Sequence, residues 1–167
     1  MTEVAIRPVA TADAAAIADI YNHYVTDSIV TFEDAPVTAD AMAGRIATVA
    51  AAYPWLVAVR DGAILGYAYA ARFHDRAGYR HTVSTTVYLD RHVLGQGLGA
   101  ALYGALLGRL PALGVHAAIG TISWPNPASV ALHEKMGFTP VGRLPQIGFK
   151  FGNWIDVVYL QRTFDAP

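Results

Sequence analysis

The stretch from Thr82 to Ala100 constrains this chain more than any other. Thr82-Val83-Ser84-Thr85-Thr86-Val87-Tyr88-Leu89 is a β-branched run that reads as a strand. Asp90 to Leu94 leads into Gly95-Gln96-Gly97-Leu98-Gly99-Ala100, a three-glycine turn. Leu98, Ala101, Leu102, Ala105 and Leu106 then open a long apolar helix pattern. A strand that runs through a glycine turn into a helix N-terminus leaves backbone N–H groups free to hold an anion such as a phosphate.

Which partners are open to such a chain follows from composition. With 167 residues it is most simply a single domain over 1–167, long enough to bury a substantial core. Hydrophobic residues make up 54% and charged ones 15%, yet no uninterrupted apolar run approaches the roughly 20 residues of a membrane span. A net charge of −1 without a basic tract gives nucleic-acid binding little electrostatic support. Cysteine is absent, which excludes disulfides, thiolate metal sites and a cysteine acyl-enzyme. Met1 to Pro8 lacks the basic region and apolar core of a signal peptide. A cytoplasmic protein with no membrane, nucleic-acid or metal partner is expected.

Taken in order, Val4–Arg7 reads as an edge strand ended by Pro8. Thr11 reads as the N-cap of a helix with Ile17, Ile20, Tyr21 and Tyr24 on one face. Thr38 caps a second helix with Met42, Ile46 and Val49 inward. Trp55–Val59 and Ile64–Phe73 are strands joined by an Asp61-Gly62 hairpin turn. The helix after the glycine turn is expected to run from Leu98 to Leu113 and stop at Gly114, with a strand over Val115–Ile122. Asn126-Pro127 pairs an N-cap with proline at the first helical position, and Gly137 ends that short helix. Phe138–Val141 and Ile155–Arg162 close the chain as strands. The order β-α-α-β-β-β-α-β-α-β-β, with tight hairpins and crossover helices, predicts an α/β fold with a mixed central sheet and helices on both faces.

The glycine turn also satisfies the loose dinucleotide pattern G-x-G-x-x-G/A. That motif should be followed about 20 residues later by an acidic residue for the ribose, and no Asp or Glu occurs from Gly95 to His133. No Gly-Lys-Ser/Thr follows, which excludes a P-loop. A plain helix-start turn stays open beside a phosphate cradle on this evidence.

Further segments narrow the choice: Ile6-Arg7-Pro8, Tyr21-Asn22-His23-Tyr24, Tyr53-Pro54-Trp55-Leu56-Val57-Ala58 and Gly66-Tyr67-Ala68-Tyr69-Ala70, then Tyr79-Arg80-His81-Thr82-Val83, Val87-Tyr88-Leu89 and Gly97-Leu98-Gly99. Asn126 to Phe138 and Gly148-Phe149-Lys150-Phe151-Gly152-Asn153-Trp154-Ile155-Asp156-Val157-Val158 complete the series. In their order and spacing they resemble the GCN5-related N-acetyltransferase superfamily, and within it the phosphinothricin N-acetyltransferase family with its relatives acting on methionine sulfoximine and sulfone.

That resemblance implies a single-domain acyl-CoA N-acyltransferase fold. It also implies direct transfer of acetyl from acetyl-CoA to the amine of a small amino acid or analogue, without a metal and within a homodimer. Gly95, Gln96, Gly97, Leu98, Gly99 and Ala100 match the acetyl-CoA pyrophosphate loop, although Leu94 stands where Gln or Arg is usual. Val87, Tyr88 and Leu89 match the splayed strand whose backbone pairs with pantetheine, and Asn126 matches the asparagine that contacts CoA, besides being an N-cap. His133 occupies the position from which many members protonate the departing thiolate.

Ser84 stands where the family usually carries a glutamate base. A serine can orient a water but not accept a proton as a carboxylate does, which leaves Glu33, Asp34, His81, His74 or bulk water. Arg76 and Arg80 suit a substrate carboxylate, with Phe32 and Tyr79 as apolar walls, while His74 replaces a frequent arginine. Lys150, Trp154 and Asp156 serve either the pocket or a dimer interface. Two alternatives stay open: another amine, such as a peptide N-terminus, polyamine or aminoglycoside, and a catalytically weak CoA-binding module.

Overall fold

The computed structural model describes residues 3–165; Met1, Thr2, Ala166 and Pro167, which the expected domain also includes, lie outside them. Among the described residues seven strands and four α-helices follow one another in the expected order: β1 (Ala5–Pro8), α1 (Ala14–Asp27), α2 (Ala39–Ala50), β2 (Trp55–Arg60), β3 (Ala63–Arg72), β4 (Thr82–Leu89), α3 (Leu98–Leu107), β5 (Ala117–Trp124), α4 (Pro127–Lys135), β6 (Thr139–Lys150) and β7 (Asn153–Thr163). They build one sheet in the order β1-β2-β3-β4-β5-β7-β6. Every neighbouring pair is antiparallel except β4 and β5, which run parallel, as two strands joined through a crossover helix must.

Helices cover both faces. Ile17, Ile20 and Val25 of α1 and Met42 and Ile46 of α2 pack on Trp55, Val57 and Tyr67. On the other face Leu102 and Leu106 of α3 pack on Leu56, Ala58, Ala68 and Val83. Because β2 is covered on both sides, Trp55-Leu56-Val57-Ala58 is buried without alternation, which is why it reads as a continuous apolar run.

Local chemistry sets most element ends. Thr38 Oγ1 accepts the Ala41 N–H at 3.1 Å, and Asn126 Oδ1 accepts the Ser129 N–H at 3.1 Å, so both act as N-caps. Asp61 and Gly62 take positive φ, 52° and 81°, as the tight β2–β3 hairpin needs. Thr11 does not cap α1: Thr11–Asp13 forms a short 3-10 turn, and Asp13 takes the N-cap position. The Asp13 carboxylate accepts the Ala10 N–H and both Arg7 guanidinium bonds, and the guanidinium holds its pKa below the usual range.

The two larger departures lie at α3 and β6. Helix α3 stops at Leu107, six residues before Leu113, and a separate 3-10 turn over Pro111–Leu113 follows. Pro111 has no N–H to donate back into the helix, so the bonds cannot continue through it. Strand β6 reaches Lys150 instead of ending at Val141. Its register with β7 shifts between Pro140 and Gly142 and between Leu144 and Gly148, and these irregularities absorb the prolines and glycines. As the outermost strand, β6 tolerates proline where a central strand would not.

Candidate active site

The parallel pairing of β4 with β5 has only three rungs: Thr82 with Ala117, Val83 with Ala118 and Ser84 with Ile119. Beyond Ser84 the strands separate. Each keeps its outer partner, β3 as far as Leu89 and β7 as far as Trp124, so the sheet opens as a wedge in its middle. The wedge is a cleft of about 520 Å³. One wall is Thr85 to Leu89, the other is Thr121 to Ser123 with Asn126, and Gly95, Gly97, Gly99 and Ala100 line it together with His133. That volume lies in the usual range for a small-molecule site. Among the described residues no cluster of His, Asp or Glu side chains could hold a metal ion.

At its wide end the cleft meets the N-terminus of α3. Gly95 and Gly97 both have φ +76°, which a side-chain-bearing residue adopts only with strain. Gly97 is the N-cap, and with no side chain it cannot satisfy the first helical N–H groups. The amides of Leu98, Gly99 and Ala100 precede the first helical bond, made by the Ala101 N–H to the Gly97 carbonyl at 3.2 Å. They are therefore open to an anion, and the helix dipole adds to the attraction. Tyr24 donates to the Leu89 carbonyl at 2.6 Å and fastens the end of β4 to α1.

His133 projects from α4 into the narrow part of the cleft and is buried. Its Nδ1 lies 2.8 Å from the Ser129 carbonyl, which can only accept, so the ring proton sits on Nδ1 and Nε2 carries a lone pair. Burial pushes the imidazole below its ordinary pKa. The ring packs edge-on against Tyr103 and Phe138, and a Cβ at Gly120 would lie 2.5 Å from its Cδ2 and Nε2. Tyr103 in turn shares a 2.7 Å hydrogen bond with Thr85. A neutral ring with its proton engaged by a carbonyl accepts a proton before it can donate one. The role of thiolate acid expected for His133 thus requires a prior protonation.

The other expected residues separate into two groups. Val87, Tyr88, Leu89, Gly95, Gly97, Gly99, Ala100 and Asn126 all line the cleft. Leu98 instead turns its side chain into the core, leaving only its backbone for a ligand, and Gln96 is exposed outside the cleft lining. Ser84 stands at the last β4–β5 rung, outside that lining, with Ala71 as its cross-strand neighbour. Arg76, Tyr79 and Arg80 are exposed beyond the N-terminal end of β4, opposite the glycine turn. Arg80 bonds the Ala77 carbonyl and Tyr79 packs on Phe73 and His74; none of the three reaches the cleft, because their loop leaves the sheet where β4 is still paired. Phe32 also lies outside the cleft lining, in the α1–α2 loop against Gly148.

A polar cluster on the α1–α2 face contains Glu33, named from the sequence only as an alternative base, while its partners Tyr21, Thr31 and Arg45 were not linked to it. Tyr21 shares a 2.7 Å hydrogen bond with Thr31, and Arg45 forms a two-pronged pair with Glu33. Burial pushes the Tyr21 hydroxyl up to about 12, while Arg45 holds Glu33 below the usual carboxylate range. A further hint was Tyr rather than Leu at positions 21 and 24 of an inward helical face.

A sequence model described as the acetyltransferase (GNAT) domain matches residues 6–159. The chain belongs to this family. Like other GNAT proteins it is an acetyltransferase, and its relatives give that family context. It is 41% identical to the phosphinothricin N-acetyltransferase of Streptomyces viridochromogenes over 98% of this chain and 90% of that protein. It is 36% identical to the L-methionine sulfoximine/L-methionine sulfone acetyltransferase of Salmonella typhimurium, over 92% of this chain and 91% of that one. Among solved structures, the GNAT superfamily phosphinothricin acetyltransferase of Sinorhizobium meliloti, in complex with AcCoA, matches with a TM-score of 0.93 and 38% identity. The match covers 98% of this chain and 89% of that one.

Proposed function

We propose that this GNAT acetyltransferase moves an acetyl group from acetyl-CoA to the amine of a small amino acid or analogue, of the phosphinothricin or methionine sulfoximine and sulfone kind. It acts as one domain, in the cytoplasm and as a homodimer. The observation that carries this reading is the wedge between β4 and β5, which ends on the open amides of α3. A cleft with free strand backbone along one wall and a phosphate cradle at its mouth fits a long, anionic, amide-bearing donor. Bound there, acetyl-CoA supplies the activated acetyl thioester.

The chain's own residues then divide the work. The amides of Leu98, Gly99 and Ala100 hold the pyrophosphate. Backbone groups of Val87 to Leu89, without a strand partner on the β5 side and free there except for the Leu89 carbonyl that Tyr24 engages, hold the pantetheine arm as an added strand, and a backbone N–H of that segment polarises the thioester carbonyl. His133 Nε2, the lone pair in the narrow part of the cleft, takes the proton that the amine gives up. Once charged it can return that proton to the departing thiolate. Glu33 is a poor base here, since Arg45 engages both of its oxygens.

Incubating the protein with acetyl-CoA and a panel of amines while following free thiol tests this directly. Phosphinothricin, methionine sulfoximine and methionine sulfone should release thiol in proportion to N-acetylated product. Release only with peptides, polyamines or aminoglycosides would redirect the substrate assignment. CoA binding with no release for any amine would leave a weak CoA-binding module, the alternative that Ser84 keeps open. Ser84→Glu sharpens the comparison: a gain of about a hundredfold, the scale of a positioned base, would mark the native chain as impaired, whereas no gain is expected if His133 takes the proton.

A further inference from the structure

The α1–α2 loop, residues 28–38, carries no regular structure, yet three fixed points hold it. The first is Lys150, the last residue of β6, whose residue is only 5% exposed. Its Nζ donates to the Thr31 carbonyl at 2.7 Å and lies 5.0 Å from the Phe151 ring centroid. Lysine is seldom buried so completely, and here its hydrogen bond goes to a backbone carbonyl of another element. The second is Gly148, two residues earlier: a Cβ there would overlap the Phe32 ring, so the ring rests on bare backbone. The third ties the loop to the cleft. Thr31 Oγ1 meets the Tyr21 hydroxyl at 2.7 Å, and the Tyr21 ring packs edge-on at 5.3 Å against Tyr88, which lines the cleft.

We propose that Lys150 is a positioning residue for the acyl acceptor, which together with Gly148 latches the Thr31–Phe32 segment of the α1–α2 loop onto the β6–β7 hairpin. This deepens the acetyltransferase reading above and rests on it. The latched segment lies behind the cleft rather than in its lining: it continues directly from Val30 and backs onto Tyr88 through Tyr21, and Val30 and Tyr88 are the residues that face the cleft. Loosening the latch therefore weakens acceptor binding and spares the donor. Of the two roles open to Lys150, this proposal takes the pocket, since its ammonium hydrogen-bonds within its own chain.

Steady-state kinetics of Lys150→Met, which keeps the apolar stem and removes the charged donor, should show the acceptor KM raised about tenfold, the scale of one charge-assisted hydrogen bond. The acetyl-CoA KM should stay within about twofold, and Lys150→Arg should restore part of the acceptor affinity. Equal change in both KM values, or an unchanged acceptor KM, overturns the proposal. Gly148→Ala should raise the acceptor KM in a chain with Phe32 and do so far less in a Phe32→Ala background, because only the ring creates the overlap. Additive effects count against the latch. Amide hydrogen exchange across residues 28–34 needs no turnover: Lys150→Met should speed it about tenfold, and no change overturns the latch. If the wild type acetylates none of the amines tested but the exchange still rises, the substrate reading fails and the latch stands.

Discussion

At the scale of single residues, His133 is the group whose environment most constrains the chemistry. Its proton is on Nδ1, its lone pair is on Nε2, and burial lowers its pKa from the ordinary value near 6.5. A group whose folded pKa is depressed is neutral, and able to accept a proton, above that pKa. Activity that depends on the lone pair is therefore lost as pH falls through a value below 6.5. Stability has the same sign, since the unfolded chain takes up this proton more readily at low pH. The pH profile of kcat/KM should thus have an acidic limb below 6.5. His133→Gln should remove that limb and lower kcat about a hundredfold, the lower end of what positioned acid–base groups supply. An acidic limb unchanged in His133→Gln would assign the proton transfer to another group. Gly120→Ala offers a second probe: its Cβ has no room beside the imidazole, so the ring must shift, and kcat should fall while the acetyl-CoA KM holds.

At the scale of elements, the glycine turn and the β4–β5 wedge were legible in different degrees. The turn could be read because its glycines sit where a strand hands over to a helix, and Gly95 and Gly97 do take left-handed φ. Gly97→Ala should cost about 1–2 kcal/mol of strain at that N-cap and weaken acetyl-CoA binding about tenfold in calorimetry, leaving acceptor binding alone. Unchanged donor affinity would mean that the phosphates rest elsewhere. The wedge itself had no sequence signal independent of family likeness, because Thr85 to Leu89 has the same β-branched character whether or not a neighbour pairs with it. Strand β6 was legible only over its first residues, as the strand ending at Val141, because Gly142, Pro145 and Gly148 interrupt the pattern beyond it and only an edge strand with register shifts can hold them. The misplaced end of α3 came from following apolar spacing through Gly108 and Pro111, where backbone chemistry outweighs the pattern. Arg76 and Arg80 look well placed for a carboxylate along the chain, but that loop leaves the sheet at the end of β4 away from the cradle. Conversely, Tyr24 and Leu89 are 65 residues apart in sequence, and no local pattern joins them.

At the scale of the whole molecule, the proposed homodimer has one candidate surface. The sheet ends at β6, whose outer edge has no strand partner among the described residues. Around that edge Val141, Ile147, Phe149, Phe151 and Trp154 are all exposed, Trp154 by 64%. An unpaired strand edge and an apolar patch each favour association, and here they coincide on one hairpin. Two copies meeting through this hairpin about a twofold axis would cover both at once, which is the commonest way a chain closes its own apolar face. The hairpin also carries Lys150 and Gly148, so such a dimer would stiffen the element against which the α1–α2 loop rests. Light scattering at micromolar concentration should give twice the chain mass for the wild type. Replacing Phe149 and Trp154, whose rings meet at 4.9 Å, by glutamate should give the mass of one chain with unchanged far-ultraviolet dichroism. A monomeric wild type, or a double variant that stays dimeric, would place the contact elsewhere.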